Sequence, residues 1–223
     1  MIKECEKVDN VILGAGAAGL FLAGELRSQK NLIIEKNSRP GKKIIVSGGG
    51  RCNFTNINIK PQDFQTYGKR VFSNVFKAYT QNDFINLVDK SGIDFYEKKL
   101  GQLFCKKRST DILNLLINRI NQKKTKVLYN TEIQDFHISK IDDGFIIKLE
   151  SKHYQCKNLI VACGGPPMPK IGGTNLATRI AQKFNIEWSK FLPALVPAFQ
   201  KGTTSFSGLS MPVKIKIKNK IIY

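Results

Sequence analysis

The segment GAGAAG at residues 14–19 has the glycine spacing G-x-G-x-x-G, and it lies between an apolar run at residues 8–13 and a run of helical periodicity at residues 20–26. In a strand, turn and helix of this kind, the first glycine makes the tight turn, the second lets a pyrophosphate approach the backbone, and the third lets helix and strand pack closely. The free N–H groups at the start of the helix then face the phosphates. The segment therefore predicts a dinucleotide site.

A carboxylate stands where such a site needs one. Glu35 ends a second apolar run, at residues 31–34, and follows Gly14 at the spacing of about 20 residues typical of the acid that accepts hydrogen bonds from ribose hydroxyls. A carboxylate at this position repels a ribose 2′-phosphate. FAD or NAD is therefore favoured over NADP as the ligand.

The segment VSGGGRCNFTN at residues 46–56 combines three glycines, a guanidinium, a thiol and two carboxamides. Three interpretations are open: a flexible hinge, a reactive site at Cys52, and a surface that lies against a ligand. Consecutive glycines permit positive φ and an anion-binding nest of N–H groups, and Arg51 adds fixed charge. The same charge could activate Cys52, but no histidine or second cysteine is adjacent, so a packing or cofactor-contact role is favoured.

Composition excludes several classes of protein. The 223 residues are 42% hydrophobic and 24% charged, which is typical of a globular chain and not of a disordered one. The formal charge of +19 would suit a nucleic-acid or membrane partner, but the lysines are scattered in short clusters and no nucleic-acid-binding module accompanies them. Binding to a nucleic acid is therefore the least favoured alternative.

The cysteines and histidines give no sign of a metal centre. Five widely spaced cysteines without a C-x-x-C pair, and two histidines, predict neither a disulfide framework nor a metal site. The apolar run at residues 11–24 is broken by glycines and follows acidic residues, so we expect no export signal, no membrane span and a cytoplasmic location.

The remaining patterns predict an alternation of helices and strands. Helices are expected over residues 70–78, 82–89 and 109–120, with Thr80 as a cap, and strands over residues 93–97, 103–105 and 126–129. Residues 132–156 predict an antiparallel meander with a hairpin turn at Asp142-Asp143-Gly144, and residues 158–162 predict a second buried parallel strand that ends at Cys163-Gly164-Gly165.

With these pieces in place, the chain resembles the YhiN/BaiN-like, aminoacetone-oxidase-type family of bacterial NAD(P)/FAD-dependent oxidoreductases. The resemblance rests on GAGAAGL, IIEKN, GKKIIVSGGGRCNFTN, LGQLF and PKIGGT, and SGGGRCN-x-TN is more specific than the glycine fingerprint. It departs at Cys105, where the family usually has proline, and at Asn175-Leu176-Ala177, which replaces a glycine-rich turn.

The resemblance implies FAD, with NAD(P)H as a possible electron donor, and a fold with two dinucleotide-binding domains. No catalytic residue and no metal ligand are assigned, and the substrate, an unknown small molecule, is not named. The residues expected to contact the cofactor are Gly14, Gly16, Ala17, Ala18, Gly19, Glu35, Lys36, Lys42, Ser47, Gly48, Gly49, Gly50, Arg51, Cys52, Asn53, Ile133, Ala162, Gly164 and Gly165.

The expected fold class is α/β: a Rossmann-like FAD-binding domain at residues 1–190, whose parallel sheet carries an antiparallel meander crossover, followed at 191–223 by the start of a second, mostly β domain. Because family members continue further, we expect a truncated member whose missing segment a second chain could supply. Three functions are in competition: a flavoenzyme, a non-catalytic nucleotide-binding remnant, and a basic protein associated with nucleic acid.

Overall fold

The computed structural model describes residues 4–28, 30–64, 69–192, 214–217 and 220–222. The chain divides into two compact units, Met1–Ser189 and Lys190–Tyr223. Among the described residues, no helix has both the length and the apolar character to cross a membrane.

The first unit alternates strands and helices, as expected for an α/β protein. The strands of the chain are β1 (Cys5–Leu13), β2 (Asn31–Ile34), β3 (Asn53–Asn56), β4 (Phe95–Glu97), β5 (Gln102–Cys105), β6 (Lys126–Leu128), β7 (Ile138–Ile141), β8 (Gly144–Lys148), β9 (His153–Val161), β10 (Ile215–Ile217) and β11 (Lys220–Ile222). The helices are α1 (Ala17–Glu25), α2 (Lys42–Val46), α3 (Lys69–Ala78), α4 (Gln81–Lys90), α5 (Thr110–Gln122) and α6 (Leu176–Lys183).

The main sheet has the strand order β6-β2-β1-β9-β8-β7. β6, β2, β1 and β9 are parallel, whereas β8 and β7 continue the sheet in antiparallel pairing. The predicted Rossmann-like sheet with an antiparallel meander is confirmed. In the second unit the described residues form one antiparallel pair, β10 and β11. Residues 213–218 alternate apolar and basic side chains, a pattern that predicts a half-buried strand, and they overlap β10; residues 213 and 218 lie outside the described residues.

Both faces of the main sheet are covered by apolar side chains. On β1, Ile12 packs with the helical residues Leu20 and Leu116 on one face, while Val11 packs with residues such as Ile147 on the other. All of these side chains are buried. Because β1 and β2 are covered on both faces, they read as nearly continuous apolar runs in the sequence.

A row of asparagines crosses the centre of the sheet. Asn10 Nδ2 donates to Asn31 Oδ1 at 2.8 Å, and Asn158 Nδ2 donates to Asn10 Oδ1 at 2.9 Å. These residues are register partners on β2, β1 and β9. A one-residue slip of any of the three strands would leave buried amide groups without partners, so the row helps to fix the register.

Three features differ from the sequence-based expectations. The meander and the predicted strand at 158–162 share one nine-residue strand, β9, whose two edges pair with β8 and with β1. The sequence patterns did not predict α2 or α6. Residues 53–56, expected to form part of a loop, are β3 of a small sheet with the order β3-β5-β4.

Candidate functional site

A cavity of about 680 Å³ opens at the carboxyl ends of β1, β2 and β9, and its size is within the range of ligand pockets. Thirteen of the predicted contact residues line it: Gly14, Gly16, Ala17, Ala18, Glu35, Lys36, Lys42, Ser47, Cys52, Asn53, Ile133, Ala162 and Gly164. The other six lie outside its lining: Gly19, Gly48, Gly49, Gly50, Arg51 and Gly165.

The three glycines of the first motif have three different environments. Gly14 has φ +104°, and a Cβ there would lie 2.8 Å from the carbonyl oxygen of Ala162, so β1 and the end of β9 approach closely at this point. A Cβ on Gly19 would lie 2.0 Å from the carbonyl oxygen of Gly14, which packs α1 against the turn. Neither glycine can be replaced without moving the backbone.

Gly16 differs from both neighbours in the motif. Its φ of −83° is open to any residue, and a Cβ there would meet no atom within 4 Å. It precedes α1 and lines the cavity. No close packing in the described part of the chain requires glycine here, and as the N-cap residue of α1 the position would equally suit Ser, Thr, Asp or Asn. A ligand that lies against the backbone accounts for the choice of glycine.

The start of α1 carries the positive end of the helix dipole. Ala17 and Ala18 are exposed to the cavity, the first turn has no acidic residue, and no side chain caps its N–H groups. Lys36, Lys42 and Lys43 also line the cavity. Free helix N–H groups and nearby cations suit a ligand with phosphate groups.

Glu35 is buried beneath the glycine turn with its carboxylate fixed by three donors. Its Oε2 accepts from the N–H of Ala15 at 2.8 Å, and its Oε1 accepts from the N–H and the Nδ2 of Asn37, at 2.8 and 2.6 Å. Because a carboxylate oxygen has two lone pairs, Oε2 keeps one free to accept from a ribose hydroxyl. The carboxylate thus joins the glycine turn to the segment that follows β2.

The segment after β6 forms the neighbouring wall of the cavity. The N–H of Glu35 donates to the carbonyl of Leu128, and the N–H of Thr131 donates to the carbonyl of Glu35 at 3.0 Å. Ile133, a predicted cofactor contact, is buried and lines the cavity. The hydrogen bonds of the Glu35 backbone thus hold a segment that brings an apolar side chain to the cavity wall.

The triple-glycine loop has the backbone conformation that its composition predicts. Gly48, Gly49 and Gly50 all have positive φ, at 57°, 66° and 85°. The N–H of Ser109 donates to the carbonyl of Gly50 at 2.7 Å, and the N–H of Cys105 donates to the carbonyl of Arg51 at 2.9 Å. These bonds fix the loop to β5 and to the residue before α5, which argues against the hinge interpretation. Arg51 is turned away from the cavity and donates to the hydroxyl of Tyr96 at 3.3 Å.

Sequence reasoning missed several polar residues of the cavity: Thr131, Glu132 and Thr174 line it, as do Lys43 and Asn37. Lys43 Nζ lies beside the second glycine turn, since a methyl group on Gly164 would be 3.5 Å from it. Asn37 holds Glu35 in place and lines the cavity itself. Both lie in segments that carry the family resemblance, IIEKN and GKKIIV. Because their neighbours Lys36 and Lys42 were predicted to contact the cofactor, the same segments could have indicated Asn37 and Lys43.

One part of the cavity is aromatic. Phe21, Tyr79 and Phe84 line it, with the ring of Phe21 5.2 Å from that of Tyr79 and 6.0 Å from that of Phe84. Phe54 also lines the cavity, and its ring lies 6.1 Å from Phe84. The edge-to-face arrangement is the one that aromatic rings prefer. The cavity thus has a charged part and an apolar part.

The thiols near the cavity are expected to be unreactive in the folded chain. Burial raises the pKa of Cys52, and burial together with the nearby Cys52 raises the pKa of Cys105 to about 12. Burial also raises the pKa of Cys156 to about 11. At pH 8 we therefore expect a maleimide to label the exposed Cys5 first and to leave Cys105 and Cys156 unlabelled until urea unfolds the chain.

Peptide mapping by mass spectrometry measures this order of labelling. Urea-unfolded chain, in which all five thiols react, is the control. Fast native labelling of Cys52 would contradict the expectation and would restore Cys52 as a candidate nucleophile.

The sheet order, the glycine turn and the acidic residue at the end of β2 define a Rossmann-like dinucleotide-binding domain. The family model described as the HI0933-like protein Rossmann domain matches residues 8–208, so the chain belongs to the HI0933-like family. This is the family of YhiN/BaiN type that the motifs indicated.

Two curated relatives and one solved structure illustrate the similarity. The chain is 37% identical to a ribosomal RNA dihydrouridine synthase of Haemophilus influenzae, over 93% of this chain and 54% of that protein. It is 25% identical to a 3-dehydro-bile acid delta(4,6)-reductase of Clostridium scindens, over 83% of this chain and 46% of that protein. The chain thus spans about half the length of these relatives.

Among solved structures, glycine oxidase from Geobacillus kaustophilus superposes with a TM-score of 0.54 at 12% identity, over 82% of this chain and 59% of that chain. At this level of identity the superposition supports the fold alone.

Proposed function

We propose that this chain is the FAD-binding part of a flavin-dependent reductase. The observation that carries the proposal is Gly16, which faces the cavity at the start of α1 with no protein atom to exclude a side chain. The pyrophosphate of a dinucleotide accounts for that glycine. The resemblance of SGGGRCN to the family's FAD-binding segment favours FAD over NAD.

The residues present fit FAD at each part of the cavity. The start of α1 with Lys42 and Lys43 would hold the pyrophosphate, and Glu35 would accept from the ribose of the adenosine. Ile133 would contact the adenine. FAD, when bound, supplies a two-electron carrier that takes hydride from a donor and gives it to an acceptor. The chain's own contribution is to bind and orient it.

The substrate class follows from the chemistry that the two curated relatives' names share. A dihydrouridine synthase reduces the C5–C6 double bond of uracil, and a delta(4,6)-reductase reduces double bonds of a steroid ring. In uracil, and in a 3-keto steroid of this kind, the double bond is conjugated to a carbonyl group. We therefore propose that the substrate is a compound with a carbon–carbon double bond conjugated to a carbonyl, which gains a hydride at one carbon and a proton at the other.

Uridine in RNA is the substrate that we place first. It is favoured by the 37% identity to the ribosomal RNA enzyme and by the formal charge of +19. The scattered lysines alone made nucleic acid the least favoured partner, and the relatives change that order. NAD(P)H is the proposed electron donor and the cytoplasm the proposed location. We also propose that a second chain supplies the remainder of the reductase.

The first experiment asks whether the purified chain binds flavin. We expect a yellow protein that releases FAD on denaturation and that a reduced nicotinamide bleaches without oxygen. Uridine-containing ribosomal RNA should then restore the colour, whereas a steroid enone should not. A colourless chain that cannot be reconstituted with FAD would overturn the proposal. Bound FAD that no donor reduces would favour the non-catalytic alternative.

A further inference from the structure

The small sheet β3-β5-β4 has two faces of different chemistry. On one face Phe54 and Phe95 contact each other, with ring centroids 5.6 Å apart, and pack against the core. On the other face Asn53, Phe104 and Tyr96 form one row, because Phe104 is the register partner of both Asn53 and Tyr96. On this second face Phe104 is buried beneath the triple-glycine loop, since a Cβ on Gly48 would lie 2.7 Å from its ring, and the edge of the face at Tyr96 stays half-exposed.

Aromatic rings and cations are combined on that face. The rings of Tyr96 and Phe104 are 6.1 Å apart and inclined by 30°, and Lys98 Nζ lies 5.3 Å from the centroid of Phe104. Phe104 is buried, whereas Tyr96 is half-exposed, so Tyr96 offers the ring that a ligand can reach. Arg51 holds the hydroxyl of Tyr96 at one edge. The N–H of Lys106 donates to the carbonyl of Asp94, which continues the pairing of β5 with β4, so Lys106 lies on the same side as Phe104. The basic sheet face comprises Arg51, Tyr96, Lys98 and Lys106.

The cations of the basic sheet face are exposed and without carboxylate partners. Within the described ranges of the chain, none of its three cations makes an ion pair within 4 Å. The nearby carboxylates point elsewhere: Glu97 alternates to the other side of β4 from Tyr96, and Asp94 and Asp111 line a second cavity. The face itself is therefore positive and available to an anionic ligand.

The basic sheet face adjoins the cavity. Arg51 belongs to the face, and the next two residues, Cys52 and Asn53, line the cavity. The N–H of Cys105, next to Lys106, is bonded to the carbonyl of Arg51 in the same loop. A strand of polymer held on this face would thus pass beside the proposed flavin site.

We propose that the basic sheet face binds a single-stranded segment of RNA, with Arg51, Lys98 and Lys106 on the phosphates and Tyr96 stacked on a base. Sheet surfaces with an exposed aromatic ring and flanking cations suit this ligand, because stacking needs a flat ring and the backbone needs positive charge. The inference rests on the proposed function, since it positions an RNA substrate at the same cavity.

The test compares two triple variants of the whole chain with a labelled oligouridylate as the probe. Arg51→Ala/Lys98→Ala/Lys106→Ala removes the three cations of the face. We expect its affinity to fall about 10- to 100-fold at low salt, and the slope of log affinity against log salt to fall by about 2. The matched control removes three exposed lysines of the meander and is expected to change the affinity less than about twofold: Lys140→Ala/Lys148→Ala/Lys157→Ala.

A second pair of variants tests stacking. Tyr96→Ala should lower the affinity about 10-fold, and Tyr96→Phe, which keeps the ring, should stay within about twofold of the unaltered chain. Thermal unfolding of each variant checks that the fold is retained, and its flavin content is measured in parallel.

The outcomes separate the two proposals. Equal RNA affinity in the two triple variants, or equal losses in both, would overturn the basic sheet face as the RNA site. An unchanged affinity of Tyr96→Ala, with heparin competing as well as RNA, would show a surface for any polyanion and overturn it too. A chain without flavin whose RNA binding still depends on the face would instead overturn the proposed reductase and leave this inference standing.

Discussion

Replacing Gly16 by alanine is expected to abolish FAD binding while the chain stays folded. A Cβ at this position points into the cavity, meets no protein atom within 4 Å and suits the local φ of −83°. Because Gly16 is the N-cap residue of α1, where glycine is favoured over alanine, the free energy of unfolding without ligand should fall by no more than about 1 kcal/mol. A methyl group between the start of α1 and the pyrophosphate should weaken FAD by about 100-fold or more, equivalent to about 2.7 kcal/mol.

Flavin content after purification and a fluorescence titration with FAD measure the affinity, and urea unfolding of the ligand-free chain measures the stability. Ala18→Gly is the control, because it removes a methyl group from the same cavity wall. It should retain FAD and cost about 0.5–1 kcal/mol of helix stability. A Gly16→Ala chain that still holds FAD would show that the dinucleotide lies elsewhere.

Replacing Gly19 by alanine is expected to destabilise the fold, in contrast to the same substitution at Gly16. Gly19→Ala places a Cβ 2.0 Å from the carbonyl oxygen of Gly14 and 3.3 Å from Ile12 Cγ2. Alanine normally stabilises a helix by about 1 kcal/mol relative to glycine. Here we expect a loss of about 3–5 kcal/mol or a chain that fails to fold, because α1 must move away from β1.

Urea unfolding and circular dichroism measure this loss. Gly16→Ala is the matched control, since it makes the same chemical change in the same motif. If Gly19→Ala were as stable as the unaltered chain, α1 could shift at little cost. Close packing of helix and strand would then not explain the glycine at position 19.

The elements that carry a local signal could be predicted from the sequence. The strand before Gly14, the helix after it and the acid at the end of β2 depend on spacing and periodicity within about 20 residues. The turn at Asp142-Asp143-Gly144 is also local, and Gly144 has the positive φ of 115° that its position requires. These predictions agree with the structure.

The direction of the triple-glycine loop could not be predicted in the same way. Its composition indicated positive φ, but the backbone N–H groups of Cys105 and Ser109 decide where it lies. Both residues are more than 50 positions away in sequence. For this reason Arg51, expected at the cofactor, lies on the basic sheet face, and Gly48 packs against Phe104.

The double role of β9 is missed for a related reason. Its first half alternates like a meander strand and its second half is apolar like a buried parallel strand. The change comes from its neighbours and not from a break in the strand: β1 pairs along its whole length, whereas β8 pairs only with residues 153–156. Residues 158–162, predicted to form a buried strand, are half-buried or exposed. Periodicity within one segment cannot show such a change of partner.

The asparagine row also constrains the order in which the chain can fold during synthesis. The bond between Asn158 and Asn10 joins residues 148 positions apart, and Ala162 closes against Gly14 over a similar interval. The glycine motif leaves the ribosome well before β9, yet the wall beside it exists only after β9 has been made. A nascent chain therefore carries an unfinished cleft while residues 20–161 are translated, with the slow kinetics of long-range parallel pairing. The ability to retain a cofactor should appear late and abruptly as the chain lengthens past β9.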